Sequence, residues 1–233
     1  MIASLRLLLG APIVAALVAA GATAGAAQGS WTKGAAMPSE RSEIALAEVG
    51  GRIYVLGGYR GEVELEIYDP GADRWSRGKS IPRPVHHAAA VGLAGKLYLI
   101  GGYVDGWTPT DEVHEYDPAT DRWRVRSRMI YPRSGMAYGT DGRLIYTVGG
   151  EYLDSEMVGV FRNFEAYDPA RDRWYSLPPM SVPRHGFAGG VIGNRFHAVS
   201  GQLQSGTGGG GPGSTEAHEA FEFERPAGAT ASR

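Results

Sequence analysis

Four short apolar runs recur along the chain: RIYVL at 52–56, KLYLI at 96–100, LIYTV at 144–148 and RFHAV at 195–199. The first three end in Gly57-Gly58, Gly101-Gly102 and Gly149-Gly150, and the fourth ends in Ser200-Gly201, at spacings of 44, 48 and 51 residues. Runs of this length, bounded by turn residues, predict buried strands. An aromatic is expected at one place in all four, as Tyr54, Tyr98, Tyr146 and Phe196. A small-residue strand precedes each run, such as IALAEV at 44–49 and AAAVGL at 88–93, and a turn containing Gly51, Gly95, Gly142 or Gly193 joins the two as a hairpin.

A third strand follows the glycines and ends in Tyr68-Asp69-Pro70, Tyr116-Asp117-Pro118 and Tyr167-Asp168-Pro169. Asp bonds its own following backbone to set a turn, and Pro stops the ladder. Trp75, Trp123 and Trp174 come six residues after each Asp, each preceded by Asp-Arg. They open a fourth strand and offer a large apolar plate for packing. In the last unit AFEFE at 220–224 reads as the third strand, with Phe223-Glu224 standing in for Tyr-Asp.

Four strands in each of four units of this period describe propeller blades. The residues resemble the kelch repeat: a Gly-Gly pair, a later Tyr, then Trp, and Pro-Arg before the first strand. Pro82-Arg83, Pro132-Arg133 and Pro183-Arg184 carry that last element, with Glu40-Arg41 as its variant. The expected fold is an all-β, kelch-type β-propeller with four blades of four antiparallel strands. The expected boundaries are residues 27–226, with repeats at about 31–74, 75–122, 123–173 and 174–226 and a disordered tail at 227–233. Trp31 has no third strand before it, so Ser30 to Ala36 is expected to complete the last blade and close the ring.

Composition trims the functional classes. The formal charge is −2 with no basic excess, which argues against nucleic acid. There is no cysteine, so disulfides, thiolate metal sites and a cysteine nucleophile are excluded. Arg6, the apolar run at 7–20 and small residues at 22–26 match a secretory signal peptide spanning 1–26, placing the protein outside the cytoplasm, secreted or periplasmic. The uncleaved alternative is a membrane anchor, the only route by which a membrane would be a partner.

Alternating strand direction puts the Pro-Arg loops and the loops after Gly-Gly on one face. The span from Gly-Gly to Tyr lengthens from 10 to 14 to 17 residues over the first three units, and the fourth carries GTGGGGPG at 206–213. Variable loops on a rigid scaffold are where recognition concentrates. The candidate ligand face is Arg41, Arg83, His86, Arg133, Arg184, His185, Tyr59, Tyr103, Trp107, Tyr152 and Gln202, with Arg60 and Glu151 beside them. Arginine forks and aromatic plates suit a protein or peptide, or a carboxylate-bearing sugar. The competing reading gives the arginines a structural role, since one recurs in each unit.

No metal is expected. His86 and His87 are adjacent on a strand and should point to opposite faces, and the other histidines lack ligand spacing. No cofactor is expected either: no glycine loop opens a helix, and no Gly-x-Ser-x-Gly occurs. Kelch propellers often bind proteins, so the resemblance implies a binding module. A more distant resemblance, to exported sialic acid mutarotase-like propellers, implies an acidic-sugar mutarotase or epimerase as the alternative. Glu151 with Arg133 or Arg184 would then be the catalytic candidates. The copper radical oxidases of the galactose oxidase type need a Tyr-Cys crosslink that a chain without Cys cannot form.

Overall fold

The computed structural model describes residues 30–153, 158–206 and 213–224. The expected signal peptide, the tail and most of the 206–213 insertion lie outside them. Every regular element among the described residues is a strand.

Blade one is β1 (Ala45–Val49), β2 (Arg52–Leu56), β3 (Leu65–Asp69) and β4 (Arg74–Gly78), antiparallel and in chain order. Blade two has β5 (Ala89–Leu93) and β6 (Lys96–Ile100), then a small hairpin of β7 (Tyr103–Val104) and β8 (Thr108–Pro109). It is completed by β9 (Val113–Asp117) and β10 (Arg122–Val125). Blade three repeats the plan with β11 (Ala137–Thr140), β12 (Ile145–Val148), a hairpin of β13 (Glu151–Leu153) and β14 (Val158–Val160), β15 (Phe164–Asp168) and β16 (Arg173–Leu177). Blade four holds β17 (Ala188–Ile192), β18 (Arg195–Val199) and β19 (His218–Glu222).

Blades stack side by side through apolar faces. Ala90, Leu97 and Leu99 of blade two pack with Ala45, Ala47, Tyr54 and Leu65 of blade one. On its opposite face Ala89, Val91, Leu93 and Ile100 pack with Met136, Ile145 and Tyr167 of blade three. The Gly-Gly pairs stitch blade to blade. The second glycine donates its N–H to the next blade: Gly58 to the Val85 carbonyl, Gly102 to Arg133 and Gly150 to Arg184, at 2.9–3.0 Å. The first glycine must be bare, because a Cβ on Gly57, Gly101 or Gly149 would sit 2.2–2.7 Å from that carbonyl. Each also has positive φ.

The other signatures have equally local causes. Asp69, Asp117 and Asp168 accept backbone N–H bonds from residues two ahead, closing the turn. The Asp of Asp-Arg-Trp (Asp73, Asp121, Asp172) takes the left-handed conformation and accepts the hydroxyl of Tyr68, Tyr116 or Tyr167 at 2.6–2.7 Å. Each Trp ring then lies about 5 Å from that same Tyr.

Three expectations fail in blade four. Its third strand is His218–Glu222, so Phe221-Glu222, and not Phe223-Glu224, takes the place of Tyr-Asp. Phe221 faces Phe196 as Tyr68 faces Ile53, and Glu222 pairs with Arg195 as Asp69 pairs with Arg52. By the same register His197, not Phe196, matches Tyr54. Finally, the outer strand expected at Ser30 to Ala36 is not formed: those residues are in no strand, Trp31 is 104% exposed, and among the described residues this sheet has three strands.

Candidate functional site

At the loop face, the residue before each inner strand pairs with the residue after the glycines. His86 bridges to Tyr103, Ser134 to Glu151 and His185 to Gln202, and the Tyr59 N–H donates to the Ser42 carbonyl. The next residues, Glu43, His87, Gly135 and Gly186, run blade to blade as a chain of N–H to carbonyl bonds along the inner rim. All four have φ between 53° and 59°. Glycine adopts that conformation freely, whereas Glu43 and His87 adopt it at a cost of about 1–3 kcal/mol.

This register corrects the arginine assignment. Arg41, Arg133 and Arg184 occupy equivalent places, and all three guanidiniums are fully buried. Arg133 donates to Glu165 at 2.6 Å and to Thr147 at 3.0 Å. Arg41 pairs with Glu66 at 3.1 Å and donates to the Gly57 and Glu64 carbonyls. Arg184 pairs with Glu219 and donates to the Val182 and Ala198 carbonyls. These are clasps inside the blades, not ligand forks. In blade two Val85 stands where the arginine would be, and His114 stands where the others have Glu. Arg83 lies two residues earlier and turns outward to Asp105 and Glu112.

Two polar chains occupy the rim. Glu151 accepts from His185 Nδ1 at 2.7 Å, from Ser205 Oγ at 2.9 Å and from the Gly206 N–H at 2.9 Å. Burial alone would raise this carboxyl, but the His185, Gly206 and Ser205 bonds outweigh it and hold it down at about 2. His185 Nε2 reaches Gln202 at 3.2 Å. A carboxylate locked in this way cannot serve as a proton donor near neutral pH. It also makes no ion pair with Arg133 or Arg184, so the expected catalytic pairing is not formed.

In the second chain, Glu43 faces His87 Nε2 at 3.3 Å, His87 and His86 meet Nδ1 to Nδ1 at 2.7 Å, and His86 Nε2 faces the Gly106 carbonyl at 2.7 Å. The rings do not point to opposite faces, because the positive φ of His87 turns its side chain back onto His86. Three contacts in series need three protons, and two neutral imidazoles carry two. Burial pushes His87 down while Glu43 pulls it up, and the first effect is the larger.

Around this chain the aromatics cluster. His86 lies 5.1–5.5 Å from Tyr59, Tyr103 and Trp107, and Tyr59 and Trp107 are half-exposed. A groove between the two loops is lined by Tyr59, Arg60, Pro84, His86, Tyr103 and Asp105. The Tyr103 and Ser134 hydroxyls are buried with no partner at bonding geometry. Tyr152 flanks the Glu151 chain, its carbonyl accepting from Ser205. Among the described residues no cluster of three or more His, Asp or Glu side chains is arranged to hold a metal.

Blades, radial stacking and a loop face with its own chemistry define a β-propeller. The kelch motif matches residues 40–82, 84–130 and 132–181, and the chain belongs to the kelch-repeat family. It is 34% identical over 98 residues to Kelch-like protein 15 of Gallus gallus, covering 42% of this chain and 19% of that one. It is 31% identical over 95 residues to Kelch-like ECH-associated protein 1A of Danio rerio (41% and 16%). It is 32% identical over 94 residues to F-box/kelch-repeat protein At1g16250 of Arabidopsis thaliana (40% and 24%). The matched region is therefore a quarter or less of each relative's length. Among solved structures, that of YjhT superposes with a TM-score of 0.64 at 18% identity, covering 74% of this chain and 63% of that chain.

Proposed function

We propose that the chain is a binding module, exported from the cytoplasm, that captures a protein segment on its loop face over the Tyr59–His86–Trp107 cluster. The observation that carries this is the cluster itself: two half-exposed aromatics stand on a buried His and Tyr beside an open groove. Exposed aromatics on rigid support are the usual anchors of protein recognition. The face is aromatic and histidine-rich; its arginine component reduces to Arg83 and Arg60. The kelch-like relatives support the protein-binding reading.

The test is selection of peptides from a displayed random library against the full chain, followed by titration of the winners. Trp107→Ala should weaken them about thirtyfold or more, while Trp75→Phe on the outer strand leaves them unchanged. Winners that bind Trp107→Ala as tightly as the parent would overturn the assignment. Export is checked separately, by N-terminal sequencing of the chain recovered outside the cytoplasm.

A further inference from the structure

On the face opposite the loops, the outer strand of each blade meets the Tyr-Asp-Pro turn of the next, and one position of that strand decides what fills the joint. Gly78, Arg126 and Leu177 share that position, each three residues after its Trp. Between blades two and three the Arg126 guanidinium fills the joint. Its Nε donates to the Tyr167 hydroxyl at 2.9 Å and its Nη2 to the Pro169 carbonyl, with Glu115 at 3.4 Å and Asp172 at 3.5 Å. Between blades three and four Leu177 joins the apolar cluster there. Between blades one and two Gly78 adds no side chain. A Cβ on it would sit 2.6 Å from the Tyr116 hydroxyl, so β4 cannot fill this joint itself. An open cleft of about 200 Å³ results, lined by Arg52, Tyr54, Ile67, Asp69, Tyr116 and Pro118.

The cleft keeps most of what holds Arg126. Tyr116 gives its proton to Asp121 at 2.7 Å, as Tyr167 gives its own to Asp172 at 2.6 Å. A hydroxyl lone pair is left for an incoming donor. The Pro118 carbonyl holds the place of the Pro169 carbonyl in the same turn. Tyr54 and Tyr116 stand with ring centroids 6.2 Å apart, as Tyr98 and Tyr167 do at 6.1 Å. Basic neighbours do not keep a cation out. Arg52 is paired with Asp69 and Arg74 lies opposite it, just as Lys96 is paired with Asp117 and Arg122 lies opposite it beside Arg126. The one acceptor lost is Glu115, whose place Ile67 takes.

We propose that this cleft is a binding site for a guanidinium group brought by another molecule. The group takes the place that Arg126 fills one joint further on, donating to the Tyr116 hydroxyl and the Pro118 carbonyl beside the Tyr54 ring. A planar fork suits two acceptors at fixed positions and an aromatic face, as a compact ammonium does not. The site lies away from the Tyr59–His86–Trp107 cluster and stands independently of the reading given to it.

The test follows backbone amide chemical shifts of the full chain during titration with capped arginine amide, methylguanidinium and capped citrulline amide, whose ureido group has the same shape without the charge. Arginine amide should give saturable shifts at Gly78 and Tyr116, and citrulline amide should bind at least about tenfold more weakly. Ile67→Glu restores the counterpart of Glu115 and should tighten the site about tenfold. Arg126→Gly opens the second joint. It should add saturable shifts at Tyr167, and its lowered unfolding midpoint should rise again with the ligand. Tighter binding of arginine amide than of methylguanidinium assigns the group to a polypeptide, and the reverse order assigns it to a free guanidino compound. Equal binding of citrulline amide, or no saturable shift at Gly78 and Tyr116 in the parent chain, overturns the inference.

Discussion

The buried arginine clasps and the loop rim sit a few residues apart in three of the four blades, and they obey opposite rules. The clasp repeats: Arg41 with Glu66, Arg133 with Glu165 and Arg184 with Glu219. The rim does not, since Tyr59, Tyr103, Glu151 and Gln202 share one position and no chemistry beyond the two tyrosines. Blade two shows why the clasp repeats as a pair. Its arginine and its glutamate are both gone, replaced by Val85 and His114, because either partner alone would leave a buried charge uncompensated. Recurrence within a chain marks what every blade needs for packing. Departure from it marks positions freed for recognition.

The largest effect that could break this contrast is on stability. Arg133→Ala strands Glu165 in the interior and should cost about 3–5 kcal/mol. Arg83→Ala removes a half-exposed side chain bonded to Asp105 and Glu112, and should cost no more than about 1 kcal/mol. Urea unfolding of the two variants measures the difference. Equal losses would mean that Arg83, too, serves as a clasp.

Much of this was legible in the sequence and some of it was not. Blade count, strand order and the Trp, Tyr and Asp signatures follow from recurrence at fixed spacing, because each has a local cause in a turn or a cross-strand pair. The clasp glutamates were also visible, since Glu66, Glu165 and Glu219 each lie two residues before the Tyr or its Phe counterpart. They pass unnoticed because a charge in an apolar strand declares no partner until the register is known. Arg83 misleads for the same reason: Pro-Arg recurs in sequence, but a two-residue offset moves it out of the clasp. The Glu151–Ser205 contact spans 54 residues across two loops of irregular length, and no periodicity predicts it. Trp31 has the spacing of an outer-strand tryptophan, yet residues 30–36 form no strand, because spacing gives a residue's pattern and not its pairing partner.

An intermediate effect falls on the rim carboxylate. Glu151 is held at about 2, against an ordinary 4.5. A carboxyl depressed by folding adds stability fully present above pH 4.5 and lost as pH falls through 2. Wild type should therefore lose about 2 kcal/mol through this group between pH 7 and pH 3. Glu151→Gln, which cannot ionise, should lack that component while its amide oxygen still accepts from Ser205 and Gly206. Unfolding midpoints of both chains at the two pH values isolate it, and parallel pH profiles would show that the carboxylate is not held as the three bonds indicate.

The smallest effect is the most diagnostic, because its small size separates the rim from the clasps. His87 has φ 54° at a place where blades three and four use Gly135 and Gly186 at φ 58° and 59°. Substituting His87→Gly relieves a left-handed non-glycine residue and gives up the contacts to His86 and Glu43. The two terms are of similar size, so stability should change by no more than about 1 kcal/mol in either direction. The same variant removes the middle member of the Glu43–His87–His86 chain, leaving the His86 ring, and with it Trp107 above, without its neighbour. Peptides selected on the parent should then bind more weakly to a chain that is as stable as before. A loss above about 2 kcal/mol would show that His87 is a packing residue, in which case the strain at its backbone serves the fold and not the ligand.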